Sequence, residues 1–202
     1  MSICTVTSNE NHIYHILFDM NCLLFCHYEK LNGKDVCIED ELPFTIPDSW
    51  QWCRLKNIAY TISSKSYQIL EKQIKKTGKL PVISQSGSFV EGYTDEIKFI
   101  FDNYPVIVFG DHTKNVKFVD FSFVVGADGV KIIKPLKYVD SKFLYYVISD
   151  ASVKIENRGY GRHFQFIDKY FYAIPPLSEQ KRIVAKIEEL FSLLDQIQTN
   201  LV

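Results

Sequence analysis

The sequence predicts an α+β fold, with a curled, mainly β domain over residues 42–174 followed by a long, coiled-coil-type C-terminal helix over 175–202. Three observations carry that expectation. Short β-branched and aromatic runs fill the middle of the chain, separated by turns such as Gly110-Asp111, Asp102-Asn103 and Gly126-Ala127-Asp128-Gly129. The diproline Pro175-Pro176 then ends the pattern, since proline is disfavoured in sheet interiors and restricts the residue before it. Beyond it, Ile183, Ile187, Leu190, Leu194, Ile197 and Leu201 recur at spacings 4-3-4-3-4, the a/d seam of a helix with a 3.5-residue repeat.

Taken in order, residues 1–41 form a lead-in. Its apolar stretch, 13–28, reads equally as a short helix or a pair of strands, and the acidic run Glu39-Asp40-Glu41 follows. Within 42–174, strands are expected at 105–109, 118–125, 130–133 and 164–172, and short helices at 69–76 and 142–149. Such short strands with few long helices suit an α+β domain around a curled sheet. In the last segment Ser178 is placed to cap a helix opening at Glu179. No Gly or Pro interrupts the run to residue 202, a rod of about 36 Å. Val184 and Phe191 widen the apolar stripe, so a small bundle is open alongside a two-stranded coil.

Composition narrows the class. The 202 residues are 47% hydrophobic and 23% charged, as in a soluble globular protein. No 18-residue apolar run exists to span a membrane, and the first residues lack the basic leader and clean apolar core of a secretory signal. Five cysteines, Cys4, Cys22, Cys26, Cys37 and Cys53, make an odd count confined to the first 53 residues. That suits free thiols in a reducing cytoplasm rather than a disulfide framework, and the Cys22, Cys26, His27 spacing is not that of a zinc knuckle. The net charge of −1 hides a partition. Residues 1–41 carry 2 basic and 7 acidic groups, 42–174 carry 18 and 13, and 175–202 carry 3 and 4. Only the middle segment is basic, and a local basic face is enough to bind phosphates.

No catalytic constellation emerges. Glycine-rich nucleotide loops, a Gly-x-Ser-x-Gly elbow and His-Glu-x-x-His are all absent. Glu96-Ile97-Lys98 imitates one end of a nuclease metal site without a convincing acidic partner upstream, and Asp111-His112 alone specifies no chemistry. No catalytic residue, metal ligand or cofactor site is assigned. What stands out is a recognition inventory in three loops. Gln85, Ser86 and Ser88 surround Gly87 shortly before Tyr93; His112, Thr113, Lys114, Asn115 and Lys117 fill a polar turn; Arg158, Tyr160, Arg162 and His163 surround two glycines. Glycine lets backbone approach a ligand closely. Arg pairs bidentately with guanine or phosphate, Asn and Gln with adenine, and Lys mostly with phosphate. Lys65, Lys79, Lys114, Lys117 and Arg162 are the expected phosphate contacts.

Two motifs then point to a family. Pro43-Phe44-Thr45-Ile46-Pro47-Asp48-Ser49-Trp50-Gln51-Trp52-Cys53-Arg54-Leu55 resembles the entry to a target recognition domain of type I restriction-modification specificity subunits. Ile174-Pro175-Pro176-Leu177-Ser178-Glu179-Gln180-Lys181-Arg182-Ile183 resembles the Pro-Leu-Pro-Pro-Leu-x-Glu-Gln-x-x-Ile signature opening that family's conserved helix. Residues 105–135 resemble one subtype of the domain. The resemblance implies a non-catalytic, cytoplasmic subunit that binds double-stranded DNA and assembles with modification (methyltransferase) subunits and a restriction subunit. S-adenosylmethionine, ATP and Mg are expected on those partners, and no cofactor on this chain. It also implies helices that pack antiparallel as a ruler between two half-sites. With one domain and one helix, the expectation is a half subunit or truncated product that pairs with a second half or a second copy through the seam. A small nuclease and a module that binds only partner subunits are the competing readings.

Overall fold

The structure, a computed structural model, describes residues 13–16, 26–31, 33–126, 128–156, 159 and 161–200. The lead-in is a pair of strands rather than a helix: β1 (Ile13–Ile16) and β2 (Cys26–Leu31) are antiparallel, and β3 (Lys34–Cys37) extends the meander. This small sheet is clasped to the domain behind it. Glu29 of β2, 1% exposed, pairs with the Arg54 guanidinium at 2.7 Å. That guanidinium lies 3.5 Å over the Phe171 ring and donates to the Lys169 carbonyl. Ile38 is buried with Trp52 and Phe171 in the same cluster.

Next come β4 (Gln51–Cys53), α1 (Leu55–Ile58), β5 (Ala59–Ile62), β6 (Leu80–Ile83) and β7 (Gly92–Thr94). They are followed by β8 (Val106–Gly110), β9 (Val116–Val119), β10 (Val124–Val125) and β11 (Val130–Pro135). The last elements are α2 (Ser141–Lys154), α3 (Phe164–Lys169), β12 (Tyr172–Ile174) and α4 (Leu177–Asn200). The centre is an antiparallel sheet in the order β5-β11-β8-β9. Strand β8 is buried throughout, which explains why it is a continuous apolar run rather than an alternating one. One face of the sheet packs Ile107, Phe109 and Ile133 against α1, α2, α3 and the root of α4. The other packs Val106, Val108, Val130 and Ile132 toward a second sheet, β10-β6-β7, in which β10 and β6 are parallel. Finally β4 and β12 pair antiparallel, with Gln51 opposite Ile174. The entry motif and the exit motif are therefore neighbours in space, and Trp52 is buried at their seam.

Four expectations need correction, the first being the 118–125 strand, which is divided between β9 (Val116–Val119) and β10 (Val124–Val125) by residues 120–123, with a bend at Phe121. The 164–172 strand is instead α3 followed by β12. Its aromatic composition favours a strand, but the first helical amide, that of Phe164, is held by Asp111 Oδ1 at 2.8 Å, a cap from 53 residues away that local composition does not reveal. The 69–76 helix is a single 3-10 turn, Glu71–Gln73. Its flanks instead bridge to strands, Gln68 to Val125 and Lys75 to Tyr93. The C-terminal helix opens at Leu177, so Ser178 lies inside the first turn, where Pro176 C=O accepts the amides of Glu179 and Gln180. The expected 142–149 helix is present and longer, as α2. Its Asp140 N-cap accepts from the Lys142 and Phe143 amides, each at 3.0 Å. Asp140→Ala is expected to lower stability by about 1 kcal/mol, read as a modest fall in the thermal midpoint.

Candidate nucleic-acid interface

Strand directions bring one set of sheet ends together. Gly110 at the end of β8 lies opposite Val130 at the start of β11, and Phe109 opposite Val116 at the start of β9. The C-terminal end of β5 also faces the start of β11, and β6 and β10 end side by side at Ile83 and Val125. Their outgoing loops therefore gather along one edge.

Gln85 ties that edge together. Its Nε2 donates to Asp128 O at 2.9 Å, and its Oε1 accepts the His112 amide at 3.2 Å. Its own carbonyl accepts Thr113 Oγ1 at 2.6 Å and Asn115 Nδ2 at 2.9 Å. One residue thus joins the turns after β6, β8 and β10. Glycines make room for it. A Cβ on Gly129, which has φ +76°, would stand 2.7 Å from His112 Cδ2, and one on Gly110 would stand 2.8 Å from Gln85 Cβ. The third predicted loop joins the same assembly. His112 Nδ1 lies 3.4 Å from Gly161 O, and the His163 amide donates to Asp111 O at 2.8 Å. Gln68 Nε2 reaches Asp128 Oδ1 at 3.0 Å, bringing in the turn Lys65–Tyr67.

The predicted site residues fall into groups. Ser88, Thr113, Lys65 and Arg162 are exposed, and Ser86 and His112 half-buried. Gln85 and Asn115 are half-buried and bonded within the edge. Lys117 is 6% exposed. Its ammonium donates to Ser84 O at 2.8 Å and Ser88 O at 2.5 Å, and burial lowers its pKa, with Glu91 acting in the opposite direction. Lys114, at φ +61°, donates from Nζ to Ile155 O at 2.9 Å, just past the C-terminus of α2. His163 is fully buried, with Nδ1 3.0 Å from Asp111 O. Lys79 and Tyr93 lie apart: Lys79 precedes β6, and Tyr93 pairs with Pro81 within β7. Arg158, Tyr160 and Leu201 fall outside the described residues. A residue that sequence reasoning missed is Lys131, half-buried, 3.9 Å from Asp111 Oδ2 and 5.7 Å over the Phe164 ring. Only its register opposite Phe109 reveals it.

Burial pushes the Cys53 thiol up to about 12, leaving no thiolate at neutral pH. Glu96 and Lys98 form a 3.9 Å pair beside the 3-10 turn Ile97–Phe99. Among the described residues no group of three or more His, Cys, Asp or Glu is placed to hold a metal, and no helix is long and apolar enough to cross a membrane.

The seam residues of α4 divide along its length. Ile183 and Val184 pack into the main core, and Ile187 is half-buried. Leu190, Leu194 and Ile197 are 49%, 58% and 55% exposed, with Phe191 and Leu193 exposed beside them.

A curled α+β domain with a glycine-lined loop edge and a long helix leaving its root is the class of fold that these elements define. Residues 47–201 match the type I restriction modification DNA specificity domain, and the chain belongs to that family. It is 26% identical over 153 residues to the type I restriction enzyme EcoR124I/EcoR124II specificity subunit of Escherichia coli, covering 72% of this chain and 37% of that protein. It is also 26% identical over 190 residues to the EcoEI specificity subunit of Escherichia coli, covering 79% and 31%. The fold is that of the HsdS subunit from Thermoanaerobacter tengcongensis (TM-score 0.59, 13% identity, 79% of this chain and 42% of that one). It is likewise that of the S subunit from M. genitalium (TM-score 0.58, 14% identity, 77% and 43%). The chain spans about a third of the length of the curated relatives it matches.

Proposed function

We propose that this chain reads one half-site of a double-stranded DNA target through the Gln85 edge and carries out no chemistry itself. The observation that supports this most is the convergence of three separate polar loops on one edge, joined through a single side chain and its carbonyl. In this reading the polar residues share the work. Gln85, Lys114, Asn115, Lys117 and His163 hold the loops in shape. Ser86, Ser88, His112, Thr113 and Arg162 face the bases, and Lys65 and Lys131 contact phosphates. Lys79 and Tyr93 extend the surface at most at its periphery.

The helix supplies the assembly surface. Its spacing reads the same in both directions, so an antiparallel partner of the same pattern sets Ile187 against Ile197 and Leu190 against Leu194. That partner is a second half-subunit or a second copy. Modification subunits and a restriction subunit complete the complex and hold S-adenosylmethionine, ATP and Mg.

Selection of bound duplexes from a randomised pool tests the reading. A defined word is expected, with affinity falling steeply as salt rises. Arg162→Ala should cost about 1–3 kcal/mol if it contacts a base. Binding to modification subunits with no word selected would leave the partner-only reading, and Mg-dependent cleavage of plain duplex would favour a nuclease.

A further inference from the structure

The angle at which α4 leaves the domain matters because the rod is long. At 24 residues it extends about 36 Å. A tilt of about 10° at its root moves its far end by roughly 6 Å, close to two base-pair steps of about 3.4 Å. Reading two half-sites at one fixed gap therefore requires the root to be held to within a few degrees.

The contacts that tie α4 to the domain differ in kind. Ile183 and Val184 sit in the apolar core, and Phe191 approaches the Tyr146 ring at 6.3 Å. Apolar contacts of this sort are non-directional and tolerate sliding. The Lys142–Glu188 pair is nearly half-exposed on both sides and holds the angle weakly. Gln180 is different. In the first turn of α4 and only 1% exposed, its Oε1 accepts the Asp140 amide at 2.7 Å. Its Nε2 donates to Pro175 O at 2.9 Å and Tyr138 O at 3.2 Å. Asp140 is itself the N-cap of α2. A single buried amide thus fastens the start of α4 to the N-cap of α2, to Tyr138 in the connection before α2 and to Pro175 just past β12, through three directional bonds.

We propose that Gln180 is a positioning residue that sets the exit angle of α4, and through it the gap at which two half-sites are read. This rests on the half-site reading above. It also gives a physical reason for a glutamine at this place in the exit motif, where a solvent-facing helix residue would serve the pairing seam equally well.

The test uses the full chain and duplexes carrying one or two copies of the selected word, with the gap varied in single base-pair steps. Gln180→Met keeps the length of the side chain and removes all three bonds. It is expected to bind the one-word duplex within about twofold of wild type, while its two-word profile broadens over several gaps and its peak affinity drops about tenfold as the linked sites fall out of alignment. Gln180→Glu, which can still accept from Asp140, should give an intermediate width, and Lys142→Ala should leave the profile sharp. A folded Gln180→Met protein with a wild-type gap profile overturns the proposal. So does loss of one-word binding in Gln180→Met and Gln180→Glu alike, which would make Gln180 part of the domain's stability alone. A wild-type chain that selects its word yet shows no gap preference overturns this proposal and spares the half-site reading. A wild-type chain that selects no word overturns both.

Discussion

Gly129→Val is expected to lower DNA affinity at least about tenfold, the equivalent of about 1.4 kcal/mol, and to lower the thermal midpoint by several degrees. Two effects combine at this position. With φ at +76°, a β-branched residue is held in the left-handed region at a cost of order 1–3 kcal/mol. Its Cβ would also meet His112 Cδ2 at 2.7 Å and both terminal atoms of the Gln85 amide at 3.1 Å, forcing apart the two residues that hold the loop edge. Gly33→Val separates the effects. Gly33 has φ +77° and, its own chain neighbours aside, no heavy atom of the described residues within 4 Å of the point a Cβ would occupy, so it carries the backbone cost without the collision. In a chain of this size about 1 kcal/mol corresponds to roughly 2–4 °C. Gly33→Val should therefore lower the midpoint by a few degrees and leave word selection intact, measured by melting and by titration of labelled duplex. Wild-type DNA binding by Gly129→Val would remove the Gln85 edge from the recognition surface.

The second large effect is on assembly. Leu190→Asp with Leu194→Asp should abolish helix pairing while leaving the domain folded. Both side chains are about half exposed in the single chain, so the domain loses little apolar burial when they change. In a paired seam, by contrast, each would place a charge in a dry contact, at a cost of several kcal/mol. Sedimentation of wild type and variant across a concentration series reads the outcome. An association that survives the double change would show that another face of the chain is the interface.

Much of this was legible in the sequence because local pattern and final structure agree. The strand at β8, the turn at Gly110, the break at Pro175-Pro176 and the period of α4 each follow from neighbours a few residues apart. The entry and exit motifs also proved to be adjacent, through the pairing of Gln51 with Ile174. What escaped depends on distance along the chain. Helix α3 begins where Asp111 caps it, and aromatic composition alone favours a strand there. Lys117 reads as a surface cation in a polar turn. In β9 it shares a face with buried Val119 and points inward, where two carbonyls receive its ammonium. Gln85 reads as a base-contacting amide, yet its partners lie 27 and 43 residues away, so its role as a brace emerges only from the fold.

The Glu29–Arg54 pair bears on how this domain could be exchanged between relatives. A graft beginning at the entry motif would carry the arginine and leave its carboxylate behind, stranding a cation beneath Phe171 at a cost of about 3–5 kcal/mol. The transplantable unit is therefore larger than the family match of 47–201 suggests. Swaps that take the β2–β3 hairpin along with the domain behind it keep both halves of the clasp, and with them the packing of Ile38 against Trp52 and Phe171.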